Sequence, residues 1–198
     1  MPVAEGRLSL ERVLAALARR AEPLLSLVLS LPPLRRPLQR RALCAWRATD
    51  EPLIVCTGNI NRSPFAAALA RRRPGSRARS AGFYPEAGRP SPPATQAAAR
   101  ARGVDLSTHR STVLDQATIA HASAIFAFDL QHLARLLARR PSAWRRLHLL
   151  GLLADGRSAV IEDPHGRSQA VLEAVLDRIV AAVERAERSR PDQASGSS

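Results

Sequence analysis

Leu53-Ile54-Val55-Cys56-Thr57-Gly58-Asn59-Ile60-Asn61-Arg62-Ser63-Pro64 sets one cysteine at the end of a short apolar run and an arginine six positions later, with small or polar-tolerant residues between. An uninterrupted apolar run of this length suits a strand buried on both faces of a parallel sheet. Ser63 and Pro64 offer an N-cap and a favoured first helical residue for the apolar stretch that follows. Cys56 to Arg62 is therefore expected to be a loop that joins a strand to a helix. Amides left over at a helix start, together with those of a tightly curved loop, point inward and bind an anion. Thr57, Gly58, Asn59, Ile60 and Asn61 would form that loop, with Gly58 permitting the curvature. Arg62 would clamp two phosphate oxygens. The same positive field favours the thiolate form of Cys56, whose attack on a phosphate monoester would give a phosphocysteine that water then hydrolyses. The competing reading is a structural cysteine at a strand end, with Ser63 as nothing more than a cap.

Outward from this loop, coarse periodicity places strands near Leu53 to Cys56, Arg79 to Gly82, Ser123 to Phe128 and Leu147 to Leu150, and the segments between them read as helices. Leu172, Val175, Leu176, Ile179 and Val183 form an apolar stripe at helical spacing, so the last helix is expected to pack on the sheet. Alternation of this kind predicts an α/β fold: three layers, with a doubly wound, four-stranded parallel sheet of the flavodoxin-like type and helices on both faces. Sites in such sheets lie at the carboxyl ends of strands, and Cys56 sits at one.

Cys56 to Pro64 resembles the signature loop of the low-molecular-weight protein tyrosine phosphatases. Ser80-Ala81-Gly82, Gly88-Arg89-Pro90, Gly103-Val104-Asp105-Leu106-Ser107 with His109-Arg110, Phe128-Asp129 and Ile161-Glu162-Asp163-Pro164 follow in that family's order and approximate spacing, over about Pro52 to Glu187. The resemblance implies a protein tyrosine phosphatase without cofactor. Cys56 would be its nucleophile, Arg62 its phosphate ligand, and Asp163, directly before Pro164, its general acid. Glu162 is the neighbouring alternative for the acid. The resemblance also implies that Ser63, Ser80 and His109 help Asn59 hold the loop in shape.

Departures from the family pattern carry information. Most relatives have a second cysteine just before the arginine, where this chain has Asn61, so oxidation of Cys56 would run past sulfenic acid more readily. Arsenate reductases of this fold need further downstream cysteines, and none follows Cys56. Ile60 stands where phosphoarginine-directed relatives carry threonine, which favours an aryl phosphate. The aromatics that often follow the Asp-Pro pair are replaced by His165 and Gly166. Phe83 and Tyr84, with His165, are then candidates for the wall of the substrate slot; packing beside the second strand is the other role open to the two aromatics.

The 198 residues, 45% hydrophobic, suffice for one ordinary core. Two cysteines argue for a reducing compartment, hence the cytoplasm. His121, His132, His148 and His165 show no metal-ligand spacing, and no metal is expected. The net charge of +13 comes from arginine alone, since lysine is absent. No aromatic interleaving or reader motif accompanies it, so specific nucleic-acid binding is not expected, while the field would steer phosphorylated protein substrates to the loop.

Residues 1–50 lie outside the resemblance and carry nine arginines against four acids. Leu10, Val13, Leu14 and Leu17 fall at amphipathic helix spacing, and Pro23 and Pro32-Pro33 bound an apolar patch from Leu24 to Leu31 that is too short to span a bilayer. Three readings stay open for this extension: helices packed on the catalytic domain or a partner, an anchor to a membrane surface or partner, and a disordered or misassigned start. The expected organisation is a helical extension at 1–50, a catalytic domain at 51–188 and a disordered tail at 189–198. The rival to an enzyme is a non-catalytic phosphate-binding or scaffold protein of the same fold.

Overall fold

The computed structural model describes residues 2–156 and 158–191; most of the expected tail, 192–198, lies outside the described residues. In chain order the elements are α1 (Pro2–Ser30), α2 (Pro32–Arg47), β1 (Leu53–Cys56), α3 (Arg62–Ala70), β2 (Arg79–Gly82), α4 (Pro93–Arg100), α5 (Gln116–His121), β3 (Ile125–Ala127), α6 (Leu130–Arg139), β4 (Leu147–Leu149) and α7 (Gln169–Arg188). Short 3-10 turns at Pro141–Arg146 and Leu150–Leu153 flank β4.

The strands form one parallel sheet in the order β2-β1-β3-β4. Leu53 and Val55 point to one face and Ile54 and Cys56 to the other, as the two-residue period of a strand requires, so each face feeds its own core. The first core joins Ile54 and Phe126 to Phe65 of α3 and to the stripe Leu172, Val175, Leu176, Ile179 and Val183 of α7, all buried. The second joins Leu53, Val55 and Ile125 to Ile119 of α5 and Leu136 of α6. Chain order reverses between β1 and β3, which opens a crevice beyond the carboxyl end of β1, where Cys56 sits.

The extension divides in two. Helix α2 belongs to the first core: Trp46 is fully buried, meets Phe126 edge-on at 4.9 Å and donates from Nε1 to Glu187 of α7 at 3.0 Å. Helix α1 lies along α6. Its expected apolar stripe does not face the protein, since Leu10, Val13 and Leu17 are exposed while Glu11 is buried. The reason is the chemistry of α6. Arg135 and Arg139 reach Glu11 at 2.6 and 2.8 Å, and the amide of Leu130 donates to Glu22 at 3.0 Å. Eleven residues is close to three helical turns, so both glutamates share one face of α1. Pro23, one bound of the apolar patch, lies within α1 on its exposed side, where water can take the carbonyl that lost its donor. Among the described residues no helix is long and apolar enough to cross a membrane.

Candidate active site

The chain leaves β1 at Cys56 and turns through residues 57–61 into α3. Asn59 adopts a left-handed conformation with φ of 51°, which asparagine tolerates better than most residues. Its buried side chain accepts the Thr112 amide at 2.7 Å and donates to Ser63 Oγ at 2.9 Å, and its carbonyl accepts from His109 Nε2 at 2.8 Å. Because a carbonyl can only accept, His109 carries its proton on Nε2, and burial holds its pKa below the usual histidine value. The strand next door seals the loop. A side chain at Gly82 would place a Cβ 2.9 Å from the Asn59 backbone nitrogen and from the Thr57 carbonyl oxygen, so only glycine allows this approach.

Cys56 is buried, with Sγ at the floor of the loop. It accepts the Asn59 amide at 3.2 Å and lies 2.9 Å from Ser63 Oγ, two donors that suit a charged sulfur. Ser63 is therefore not the helix cap that its position suggested: α3 begins at Arg62, and the hydroxyl is committed to the thiol and to Asn59. Among the described residues, the amides of Gly58, Ile60 and Asn61 donate to no protein acceptor. Asn61 turns its side chain away from the sulfur and accepts from Thr95 of α4 at 2.8 Å.

Arg62 is almost wholly buried, and its guanidinium joins three segments. Nη1 donates to Asp129 at 3.2 Å and to the Ile161 carbonyl at 3.0 Å, and Nη2 pairs with Asp163 at 2.8 Å. Among the described residues Nε has no hydrogen-bond partner, leaving a buried donor at the edge of the cleft for an anionic oxygen. Behind Arg62, Asp129 caps α6 through the His132 amide, and burial raises its pKa despite the adjacent guanidinium. Asp129 also approaches His132 Nδ1 at 3.0 Å without hydrogen-bond geometry. The His132 ring is fully buried, with Nε2 2.9 Å from Thr57 Oγ1, and burial together with Arg62 keeps it neutral.

A cleft of about 210 Å³ opens over the sulfur, lined by the loop, Arg62, Asp163, Tyr84, Arg89 and His165. Arg89 lies 3.9 Å over the Tyr84 ring and donates to the Gly58 carbonyl at 2.6 Å, which makes one wall a fixed aromatic plate. Of the residues singled out from sequence, Cys56, Thr57, Gly58, Asn59, Ile60, Asn61, Arg62, Ser63, His109, Tyr84, Asp163 and His165 come together here. Phe83 does not. It is buried, stacks on His132 at 5.7 Å and underlies Arg135, so it belongs to the core rather than to the wall. Ser80 sits on β2 opposite Ile54, and among the described residues it makes no side-chain hydrogen bond to the loop. Asp129, His132, Arg89 and Thr95 were not singled out as site residues. Arg89 and Asp129 do fall in the quoted segments Gly88-Arg89-Pro90 and Phe128-Asp129, which gave them no role, and nothing local marks His132 or Thr95. Among the described residues no cluster of His, Cys, Asp or Glu could hold a metal ion.

Residues 52–189 match the family model described as low molecular weight phosphotyrosine protein phosphatase. The chain is 31% identical over 144 residues to a protein-arginine-phosphatase of Geobacillus stearothermophilus, an alignment that covers 71% of this chain and 97% of that protein. It is 32% identical over 124 residues to the low molecular weight protein-tyrosine-phosphatase Etp of Escherichia coli K12, with 62% and 82% covered. Among solved structures, the tyrosine phosphatase Wzb from Escherichia coli K30 in complex with sulphate superposes with a TM-score of 0.65 at 28% identity, over 70% of this chain and 97% of that one.

Proposed function

The chain belongs to the low molecular weight phosphotyrosine protein phosphatase family, and from that premise we propose that it hydrolyses phosphotyrosine in proteins through a phosphocysteine intermediate. The single observation that carries this reading is the position of Cys56 Sγ beneath unpaired loop amides, in one cleft with the free Nε of Arg62 and the carboxyl of Asp163.

Phosphoryl oxygens bind the amides of the loop and Nε of Arg62, which holds phosphorus in line with the sulfur. The thiolate attacks phosphorus while the bond to the leaving oxygen breaks. Asp163, paired with Arg62 Nη2 at 2.8 Å, moves its carboxyl toward that oxygen and gives it a proton. In the second step Asp163 takes a proton from water, whose oxygen attacks the phosphocysteine, and inorganic phosphate and the thiolate are released. Asp129 orients Arg62, and Asn59, Ser63 and His109 keep the amides aimed inward. Ile60 and the Tyr84–Arg89 plate line the cleft and favour a flat aryl ester over a phosphorylated guanidinium. The extension's first role is to complete the fold, through Trp46 of α2 and the glutamates of α1.

Turnover of an aryl phosphate in the presence of a chelator tests the reading. Wild-type activity should persist without metal, and Cys56→Ser should lose it while still binding vanadate. A Cys56→Ser chain with full activity would overturn the assignment, and a wild-type chain that binds phosphate without turnover would favour the scaffold alternative.

A further inference from the structure

The loop borders a second depression. Thr57, one residue from the nucleophile, lines both the catalytic cleft and a groove of about 520 Å³ between α1 and α6. The α1 wall carries Arg12, Arg19 and Arg20, and the α6 wall carries Gln131, His132 and Arg135. Glu11 neutralises Arg135 and lies buried beneath the pair. Arg19 Nε donates to Gln131 at 2.9 Å, a neutral partner. Among the described residues Arg12 and Arg20 make no ion pair with an acid, Arg19 has only the charge of Glu22 three residues on, and all three arginines are exposed. Spacings of seven and eight residues keep them on neighbouring faces of one helix, where like charges repel unless an anion lies between them. Helix α1 falls outside the segment shared with the family, so this wall is an addition to it.

We propose that the groove binds acidic residues flanking the phosphorylated residue of a protein substrate, which makes α1 a specificity element for acidic phosphoprotein segments. The inference rests on the phosphatase reading above. Guanidinium forks match carboxylates in shape and charge, and a concave track that meets the cleft at Thr57 suits a chain running on from the reacting residue. Among the described residues the exposed leucines of α1, Leu10, Leu17, Leu24, Leu25 and Leu27, lie outside the groove lining, so its chemistry is that of a polyanionic chain rather than of a bilayer surface.

The test uses the full chain, a phosphotyrosine peptide with neighbouring glutamates, its glutamine counterpart, and p-nitrophenyl phosphate, which is too small to reach the groove. Wild type should favour the acidic peptide through KM. The combined variant Arg12→Gln, Arg19→Gln, Arg20→Gln should lose roughly tenfold in kcat/KM on that peptide, the worth of two or three exposed ion pairs, with kcat and small-ester turnover within about twofold of wild type. Added salt should erase the preference in wild type only. Equal use of the two peptides by wild type, or an equal loss on both in the variant, overturns the proposal. So does arginine-dependent binding to phosphatidylserine vesicles combined with an unchanged peptide preference. Anisotropy with Cys56→Ser and the same peptides needs no turnover. Failure of the phosphatase reading would show as an inert wild type toward p-nitrophenyl phosphate, and failure of the groove would show as equal peptide binding.

Discussion

The phosphate loop and helix α1 both meet α6 through charged and polar side chains, but they turn those side chains in opposite directions. In the loop, Asn59, Asn61, Arg62 and Ser63 are all buried and bonded inward, so that a ring of backbone amides stays aimed at one point. Among the described residues of α1, Glu11 and Glu22 turn toward α6 and Leu29 packs against the first core, while Arg12, Arg19 and Arg20 face solvent and apolar Leu10, Val13 and Leu17 are exposed beside them. Polar groups in the loop fix geometry, and those on α1 fix attachment. Changes to exposed groups of the cleft should therefore cost rate with little loss of stability, and changes to buried contacts of the extension should do the reverse.

The sharpest way to break this contrast is at the cleft. Asp163→Ala removes the proposed proton donor, whose side chain is 46% exposed, and leaves Arg62 held by Asp129 and the Ile161 carbonyl. Turnover of an aryl phosphate with a poor leaving group should fall by roughly 10² to 10⁴, with Tm nearly unchanged. An unchanged rate would make Asp163 the wrong acid and return attention to Glu162. Trp46→Ala in α2 is the converse case. It should cost about 3–5 kcal/mol in a denaturant titration, and the surviving folded chain should keep its kcat on p-nitrophenyl phosphate. A loss near zero would detach α2 from the core.

Smaller effects refine the attachment of α1. Glu11→Gln leaves Arg135 and Arg139 with a neutral partner and should cost about 1–3 kcal/mol. Burial opposes the charge on Glu11, but the hydrogen bonds from Arg139 and Arg135 outweigh it and hold the carboxyl below its usual range. The stability it contributes is present above the ordinary glutamate value and is lost as pH falls through the lowered one, so Glu11→Gln should also flatten the acid limb of a stability profile. His148, on β4 behind α1 and α2, gives the weakest signal. Burial, with Arg41 nearby, pushes it down to about 4. The unfolded chain takes up a proton near pH 6.5 that the folded chain refuses, so stability declines as pH is lowered from there toward 4. His148→Gln should remove part of that decline, as read from Tm at pH 7 and pH 5.

Much of the catalytic unit was legible because its signals are local. The run Leu53 to Val55 formed β1 and ended at Cys56, and the stripe on α7 packed as its spacing required. Strands expected at Ser123 to Phe128 and Leu147 to Leu150 formed with shorter bounds, Ile125–Ala127 and Leu147–Leu149. Single side chains were harder to place. Phe83 reads as a substrate wall beside Tyr84, but successive residues leave a strand on opposite sides, and only Tyr84 faced the cleft. On α1 the apolar pattern left open which face packs, and two charged partners on α6 outcompete the burial of a few leucines.

Sequence by itself determined the order of strands and helices and singled out the candidate nucleophile, arginine and acid. Each of these follows from residues a few positions apart or from a resemblance that spans the domain. Only the tertiary structure decided that Asp129 holds Arg62 across 67 residues, that Asn61 answers to Thr95, and that an added helix lays three exposed arginines in the groove that Thr57 borders. The physical reason is reach: spacing along a chain sets which face a side chain takes, while its partner across the fold depends on how separately specified elements pack.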